Sequence, residues 1–451
     1  VDVSSEGFTI VEFMFKKSTE VFGVSTEILK DSYVDRGDLD SKIESYLERD
    51  NHIAIRGASK SGKSWLRQRI LNDPIKIQCR LEKTVTDIYR EALGQLGVKL
   101  ETSATKSSTL EGAVEAETEL GINLIGKVKA KLGFSGAKTS ETTTEKLRQN
   151  INDLDFVCEL IKESGRRLVI EDFHYLDQAE RQKFSFDMKS MWDLGLYIVV
   201  VGVWSDNNLL LHLNPDLTGR VREVPVIWTD PDLRKILDRG CAALNVHMSH
   251  EVREKLVDIS YGNAGILQRI TIDTLDHAGI YERKLTSQQV TDVGHVEAAA
   301  MFYAEELNTV YQKFAQNVAN GIRRRNNATG IYAHAMAAVL DEPDEKLIAG
   351  IPQQDIYAVA HAREDRIKRG NLTTALGNIE RLQVDSDGRG LVLSYAEGRV
   401  RVVDHQLLLY RRFATVRWPW EDMIAEADAS GEEDRYTATS DAAADNPATD
   451  G

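Results

Sequence analysis

Apolar residues recur along this chain with two different periods. Leu39, Ile43 and Leu47 stand at i, i+4 and i+8, one stripe of an amphipathic helix. A short β-like run follows, His52-Ile53-Ala54-Ile55-Arg56, and beyond a glycine- and serine-rich stretch residues 64–71 return to a helix-compatible pattern. Ile75, Ile77, Cys79 and Leu81 alternate with polar neighbours, which predicts a second strand over 74–81. Val85, Ile88, Ala92 and Leu96 share one helical face. Ile151, Leu154, Val157, Cys158 and Ile161 do the same over 147–164, and lead into a buried-strand run at 167–171. A β-branched run over 194–204 and a fifth strand just after the arginines of 217–226 complete a series in which strands alternate with helices, the α/β class.

From residue 230 the pattern turns helical. Asp230-Pro231-Asp232-Leu233 supplies an aspartate cap and a proline at the first helical position, and helices are expected over 249–259 and 264–278. A long amphipathic run, 296–322, precedes three shorter helical pieces at 331–340, 353–363 and 372–384. Two alternating strands, 390–395 and 399–404, are joined by Ala396-Glu397-Gly398. The expected organisation is a leader (1–30), an α/β core (31–229), a helical lid (230–295), a linker helix (296–328), a helix-and-hairpin domain (329–420) and a disordered tail (421–451). Within the core, 101–144 is rich in Ser, Thr, Gly, Ala and Lys and reads as an insertion. Its apolar run, 120–134, is broken by Lys127, Lys129 and Lys131, so a partly ordered surface element is expected rather than a membrane-seeking helix.

Charge and cysteine content narrow the setting. The net charge is −15, but the stretch from Glu421 onward holds ten acidic residues and one arginine, so nine of the fifteen charges sit there. The folded part is only mildly acidic, and nucleic acid is not excluded as a partner. Such a tail buries too little apolar surface to fold. Cys79, Cys158 and Cys241 are far apart and odd in number, neither a disulfide framework nor a zinc site. No apolar run reaches membrane-spanning length and no charged-then-apolar leader is present, so no membrane contact and a cytoplasmic location are expected.

The glycine-rich stretch carries the chemistry. Gly57-Ala58-Ser59-Lys60-Ser61-Gly62-Lys63-Ser64 fits G-x-x-x-x-G-K-[ST], with a strand before it and a helix, from Trp65 onward, after it. Glycines let the backbone curl so that successive N–H groups form an anion nest at a helix N-terminus. Lys63 is expected to reach the β- and γ-phosphates of a nucleoside triphosphate, and the Ser64 hydroxyl to ligate Mg²⁺. The second landmark is Arg167-Leu168-Val169-Ile170-Glu171-Asp172, an apolar strand ending in two carboxylates. Such a pair, the form of a Walker B element, serves Mg²⁺ and the attacking water, so Ser64, Glu171 and Asp172 are the expected metal residues.

In this order the motifs resemble an AAA+/STAND-type P-loop ATPase, of the group that includes origin-recognition and transposition ATPases. The resemblance covers about residues 33–285 and implies an ASCE fold, a five-stranded parallel sheet in a three-layer αβα sandwich with a helical lid. It implies ATP and Mg²⁺, hydrolysis, and a homo-oligomeric nucleotide switch. It further implies a polar sensor at the tip of the 194–204 strand (Ser205 or Asn207) and an arginine finger just before the fifth strand (Arg220 first, Arg222 second). A second sensor on the lid, Arg269, follows the turn Ser260-Tyr261-Gly262-Asn263-Ala264. Relatives mostly carry Asp then Glu where this chain has Glu171 then Asp172, which implies slow hydrolysis, since Asp is one methylene shorter.

Three helices followed by a hairpin is the plan of a winged helix. Lys368, Arg369, Arg381, Arg399 and Arg401 are its candidate phosphate contacts. Its helix offers few donors suited to base edges, so the expected partner is DNA bound without sequence readout, or a protein. The wider group includes mobile-element and anti-phage defence proteins. Two other readings stay open: a DNA-binding regulator with a structural ATP site, and a signalling scaffold that recruits a separate effector.

Overall fold

The computed structural model describes residues 16–102, 112–116, 118–131, 154–204, 208–321, 330–383 and 391–425. The chain divides into two compact units, Val1–Val293 and Gly294–Gly451.

In the first unit, helix α1 (Leu39–Leu47) precedes strand β1 (His52–Arg56), and α2 (Lys63–Ile70) leads to β2 (Ile75–Gln78). Then come α3 (Val85–Gly94), the antiparallel pair β3 (Val98–Thr102) and β4 (Gly112–Ala116), α4 (Glu119–Lys131) and α5 (Leu154–Glu163). Strand β5 (Leu168–Glu171), α6 (Gln178–Asp193), β6 (Val199–Gly202), the short α7 (Leu209–Leu213) and β7 (Val221–Pro225) complete the α/β part.

The five main strands lie in the order β2-β5-β6-β1-β7, and every pairing is parallel. Parallel strands are covered on both faces, so they read as near-continuous apolar runs, as Ile53–Ile55 and Val199–Val201 do. Alternate residues serve opposite faces. Ile53, Ile55, Val169, Val199 and Val201 pack with Ile43 of α1 and Leu66 of α2. Ala54, Ile170 and Val200 pack on the other side with Ile88 of α3, Leu160 of α5 and Phe184 of α6. The result is a helix–sheet–helix sandwich with strand order 2-3-4-1-5 counted along the main strands. Its neighbours part on either side of β1, so a crevice opens above the carboxyl end of that strand, where ligands bind in open α/β sheets.

Two features differ from the sequence expectation. The stretch read as a polar insertion carries the β3–β4 hairpin and α4, whose Leu124, Ile125 and Val128 are buried in the same core as α5. Helices α8 (Asp230–Leu244), α9 (His250–Asp258) and α10 (Ala264–His277) form the expected helical region. It also holds a two-stranded parallel sheet, β8 (Val246–Met248) with β9 (Gln288–Val290), that no alternation announced.

The second unit opens with α11 (Gly294–Asn320), then α12 (Ile331–Leu340), α13 (Asp344–Ala349), β10 (Ile351–Pro352) and α14 (Gln353–Arg363). Next are α15 (Arg369–Gly377), α16 (Ile379–Gln383), β11 (Leu393–Ala396), β12 (Arg399–Val402) and α17 (Gln406–Phe413). The single helix expected over 372–384 is two, parted at Gly377-Asn378, a poor pair for a helix interior. The three strands form an antiparallel sheet ordered β10-β12-β11. Tyr311 is buried, and its hydroxyl donates to Asp404. Trp418 stacks on the buried Trp420 at 4.7 Å, the aromatic end of this core. Among the described residues no helix is long and apolar enough to cross a membrane.

Candidate functional site

The turn after β1 runs from Gly57 to Gly62, and α2 starts at Lys63. Lys60 and Gly62 are in the left-handed region (φ 59° and 88°), which curls the backbone around a point on the helix axis. Gly57 is required for a different reason. A Cβ there would lie 2.8 Å from Ser61 Oγ and 2.9 Å from the Val226 carbonyl, so a side chain would push β1 away from the segment leaving β7.

The carbonyls of this loop are all engaged. Lys63 Nζ donates to the Gly57 carbonyl at 3.0 Å and to Ala58 at 2.6 Å. Asn263 Nδ2 donates to Ser59 at 2.7 Å, and the Gly265 N–H to Lys60 at 3.0 Å. Trp228 Nε1 donates to Ser61 at 2.8 Å. Five successive carbonyls therefore have donors within the fold, so the loop's acceptors are satisfied.

That cavity has a volume of ≈ 290 Å³ and is lined by Ser59 to Trp65, Asp172, Val203 and, away from the loop, Val24, Tyr33, Arg36, Trp228, Ile236 and Gln268. Arg36 stacks its guanidinium over Trp228 at 4.1 Å. It is buried, and desolvation lowers its pKa. Its Nε and the Ser61 Oγ are buried polar atoms without a partner among the described residues, and both belong to residues lining this cavity. Unpaired polar atoms in a pocket are the mark of a ligand site, since leaving them unmade costs about 1–3 kcal/mol each. Phosphate oxygens and a base edge are acceptors that suit them.

The two carboxylates part company. Glu171 is buried and accepts from Arg67 Nε of α2 at 2.9 Å. Asp172 adopts φ 53°, which swings it to the cavity wall, where Gln78 Nε2 donates to it. Burial raises the Asp172 pKa, the Glu171 charge raises it further, and Lys63 opposes both. His174 accepts from the Val203 N–H through Nδ1 at 3.2 Å, and burial pushes its pKa down to about 3, helped by Lys63. It is a neutral acceptor tying the turn after β5 to the end of β6.

The other expected site residues fall as follows. Gly57, Ala58, Ser59, Lys60, Ser61, Gly62, Lys63, Ser64 and Trp65 form the loop and helix start, and Trp65 donates to the Ser25 carbonyl at 2.8 Å. Arg220 stacks on Trp192 at 4.7 Å and donates to the Asp216 carbonyl. Ser205 and Asn207 lie outside the described residues. Arg269 points along α10 into an ion pair with Asp273 (2.7 Å), while its neighbour Gln268 lines the cavity, donating to Ser32 Oγ at 2.8 Å. Ala264, Gly265 and Gln268 of α10 line the cavity and Arg269 does not. Arg36, Trp228, Gln268 and Arg67 are site residues that sequence reasoning missed.

For Mg²⁺ the fit is divided. Ser64 and Asp172 line the same cavity, as an ion beside the phosphates requires, whereas Glu171 is held by Arg67 and does not line it.

A curled loop carrying glycine, lysine and serine in the order G-x-x-x-x-G-K-S, set at the end of strand 1 of a 2-3-4-1-5 parallel sheet, defines a P-loop α/β fold. No protein-family model matches the chain, and no curated protein matches it. Solved structures similar to it include Cdc6p from Pyrobaculum aerophilum (12% identity, 90% of this chain and 99% of that one, TM-score 0.31). Others are the STAND protein PH0952 from Pyrococcus horikoshii, which has a tetratricopeptide repeat sensor (11%, 90% and 45%, 0.35), and the Thermotoga maritima RuvB Holliday junction branch migration motor (12%, 84% and 96%, 0.35). The chain thus spans less than half of PH0952. At these scores the fold class rests on the strand order and the loop.

Proposed function

We propose that this protein is an ATP-binding switch of the AAA+/STAND kind that hydrolyses ATP slowly and assembles with copies of itself. The observation that carries the reading is the curled loop 57–64 at the start of α2, beside a cavity lined by Lys63, Arg36 and Asp172. The loop amides, the Lys63 ammonium and the α2 N-terminus hold phosphates, and Arg36 on Trp228 faces the base end. Lys63 leaves the Gly57 and Ala58 carbonyls to do so. Asp172, on the cavity wall, orients the attacking water and accepts its proton. Mg²⁺, when bound, neutralises phosphate charge, and Ser64 and Asp172 are the residues that would hold it. A short carboxylate in the water-orienting position, already paired with Gln78, is the reason for slow turnover.

The second unit is read as a winged helix with α15 as its exposed helix and β11–β12 as its wing. Lys368, Arg369 and Arg381 are exposed beside the uncharged Asn371, Thr373 and Thr374, a face suited to a phosphate backbone, with Lys368 Nζ donating to the Asp365 carbonyl at 2.7 Å and Arg369 over the Tyr357 ring at 5.2 Å. A protein partner is the second reading, favoured by the other two candidates. Arg399 donates to the Gly350 carbonyl at 2.9 Å and Arg401 to Ala349 at 3.3 Å, so both are engaged within the unit.

Equilibrium binding of fluorescent ATP, ATP hydrolysis with and without duplex DNA, and mass photometry with ATP, ADP and DNA in turn test this together. ATP binding with slow turnover and an ATP-dependent gain in mass is expected. Absence of ATP binding would sink the proposal, and DNA binding that is absent or indifferent to salt would leave the protein-partner reading.

A further inference from the structure

The acid pair is built with its own cation. Arg67 stands one helical turn beyond Lys63 and Ser64 on α2, and its Nε–H donates to Glu171 Oε1 at 2.9 Å with both side chains about 9% exposed. That contact pairs Glu171 with a guanidinium, and neither side chain lines the cavity. To serve a metal beside Ser64, Glu171 would have to reach a cavity it does not line while sharing its charge with Arg67. Among the described residues there is no group of three or more His, Cys, Asp or Glu arranged to hold a metal ion.

We propose that Arg67 is a positioning residue that acts as the resident counter-ion of Glu171, so that nucleotide triphosphate binding at this site depends little on Mg²⁺. This rests on the nucleotide-site reading above. Arg67 removes the carboxylate whose repulsion a divalent ion normally screens, and Lys63, Arg36 and the loop amides carry the triphosphate charge. The pair also fixes the divided geometry, Glu171 toward α2 and Asp172 toward the cavity, that the left-handed turn at Asp172 sets up.

The test is equilibrium anisotropy with fluorescent ATP on the full chain, in excess EDTA and in millimolar Mg²⁺. The wild type is expected to bind within threefold of the same affinity in both. Arg67→Met frees Glu171, so its affinity in EDTA should fall at least tenfold and recover when Mg²⁺ is added. The double variant Arg67→Met/Glu171→Met removes both charges in an apolar swap of a buried pair, which folds tolerate well. It should bind like the wild type in EDTA and gain nothing from Mg²⁺. A wild type that binds tenfold or more tighter with Mg²⁺ overturns the proposal while leaving the nucleotide site standing. So does an Mg²⁺-dependent double variant. No binding under either condition overturns the nucleotide reading and this inference with it. Should Arg67→Met fail to fold, the wild type and the double variant decide the matter between them.

Discussion

Gly265 is the residue at which the lid touches the phosphate loop, and its substitution by alanine tests whether that contact shapes the site. It is the second residue of α10, and a Cβ built on it would lie 2.5 Å from the Lys60 carbonyl oxygen and 2.7 Å from Lys60 Cβ, where ordinary contact begins at 3.4 Å. Backbone and Cβ cannot rotate away, so the helix start and the loop must separate by roughly 1 Å, the difference between those distances. Two hydrogen bonds cross the same gap, Gly265 N–H to Lys60 and Asn263 Nδ2 to Ser59. Each is worth about 1 kcal/mol net, and overpacking costs about 1–3 kcal/mol. Alanine's better helix propensity returns about 0.5–1 kcal/mol. A net cost of about 2–4 kcal/mol remains. If half of that falls on the loop geometry that receives phosphates, ATP affinity drops about 5- to 30-fold. Anisotropy with fluorescent ATP reads the affinity and calorimetry the stability. Gly377→Ala on α15, where a Cβ meets nothing within 4 Å, is the control and should leave both unchanged or slightly raise stability. Gly265→Ala with wild-type affinity and melting temperature would refute the reasoning.

Lys63→Ala removes the ammonium and should weaken ATP binding at least a hundredfold in the same assay; retained affinity would remove Lys63 from the phosphate site. Arg220→Ala should spare ATP binding and slow turnover only in assembled protein, since Arg220 already has Trp192 and Asp216 as partners within its own chain; an equal loss in dilute monomer would contradict a role toward a neighbouring copy. Acid should destabilise the first unit through its buried imidazoles. His52, between the Met188 carbonyl and the Ile198 N–H, is pushed down to about 4, and His174 to about 3. Both lie below the unfolded value of about 6.5. The unfolded chain therefore binds more protons below that pH. The stability is fully present above about pH 6.5 and is lost toward pH 4 at about 1.4 kcal/mol per imidazole per pH unit. Asp172 and Asp187, raised by burial, act in the opposite sense as pH falls through their folded values. Urea midpoints at pH 7.5, 6 and 5 should fall, less steeply in His52→Gln; a flat profile would contradict the assignment.

The parts of the site readable in the sequence are those made by neighbours along the chain. The glycine–lysine–serine order sets local dihedral angles, and the strands announce themselves because burial on both faces demands unbroken Val and Ile. The remainder is assembled from a distance. Arg36, Trp228 and Gln268 come from three segments that only the packing of α1, β7 and α10 brings together, and none lies in a motif with a spacing. That Gln268 lines the cavity while Arg269 pairs with Asp273 is a matter of helical phase, about 100° per residue, which a pattern read without the helix axis does not resolve. Glu171 and Asp172 look like one functional pair in sequence. A single left-handed residue directs them to different surroundings, and no propensity scale foretells that Asp172 would be the one. The β3–β4 hairpin escaped notice because Thr, Glu and Gly dilute its alternation to a few residues on each side.

The distribution of donors on the loop says how nucleotide and lid are connected. Of the five carbonyls from Gly57 to Ser61, two are held by Lys63, two by Asn263 and Gly265 of the lid, and one by Trp228. The contacts from Asn263, Gly265 and Trp228 use acceptors of the loop, and a phosphate, itself an acceptor, seeks the loop N–H groups instead. Lys63 alone must exchange partners, giving up neutral carbonyls for charged oxygens, and a charge-assisted hydrogen bond is about twice as strong as a neutral one. Ligand entry therefore loosens the Gly57–Ala58 end of the loop while Ser59–Ser61 stay anchored to the lid and to Trp228. On the proposed reading, the β1 end, where a Cβ on Gly57 would meet the Val226 carbonyl, is the part of the loop that a bound phosphate disturbs. The contacts from Asn263, Gly265 and Trp228 would then persist on binding, and Lys63 is the group expected to change partners.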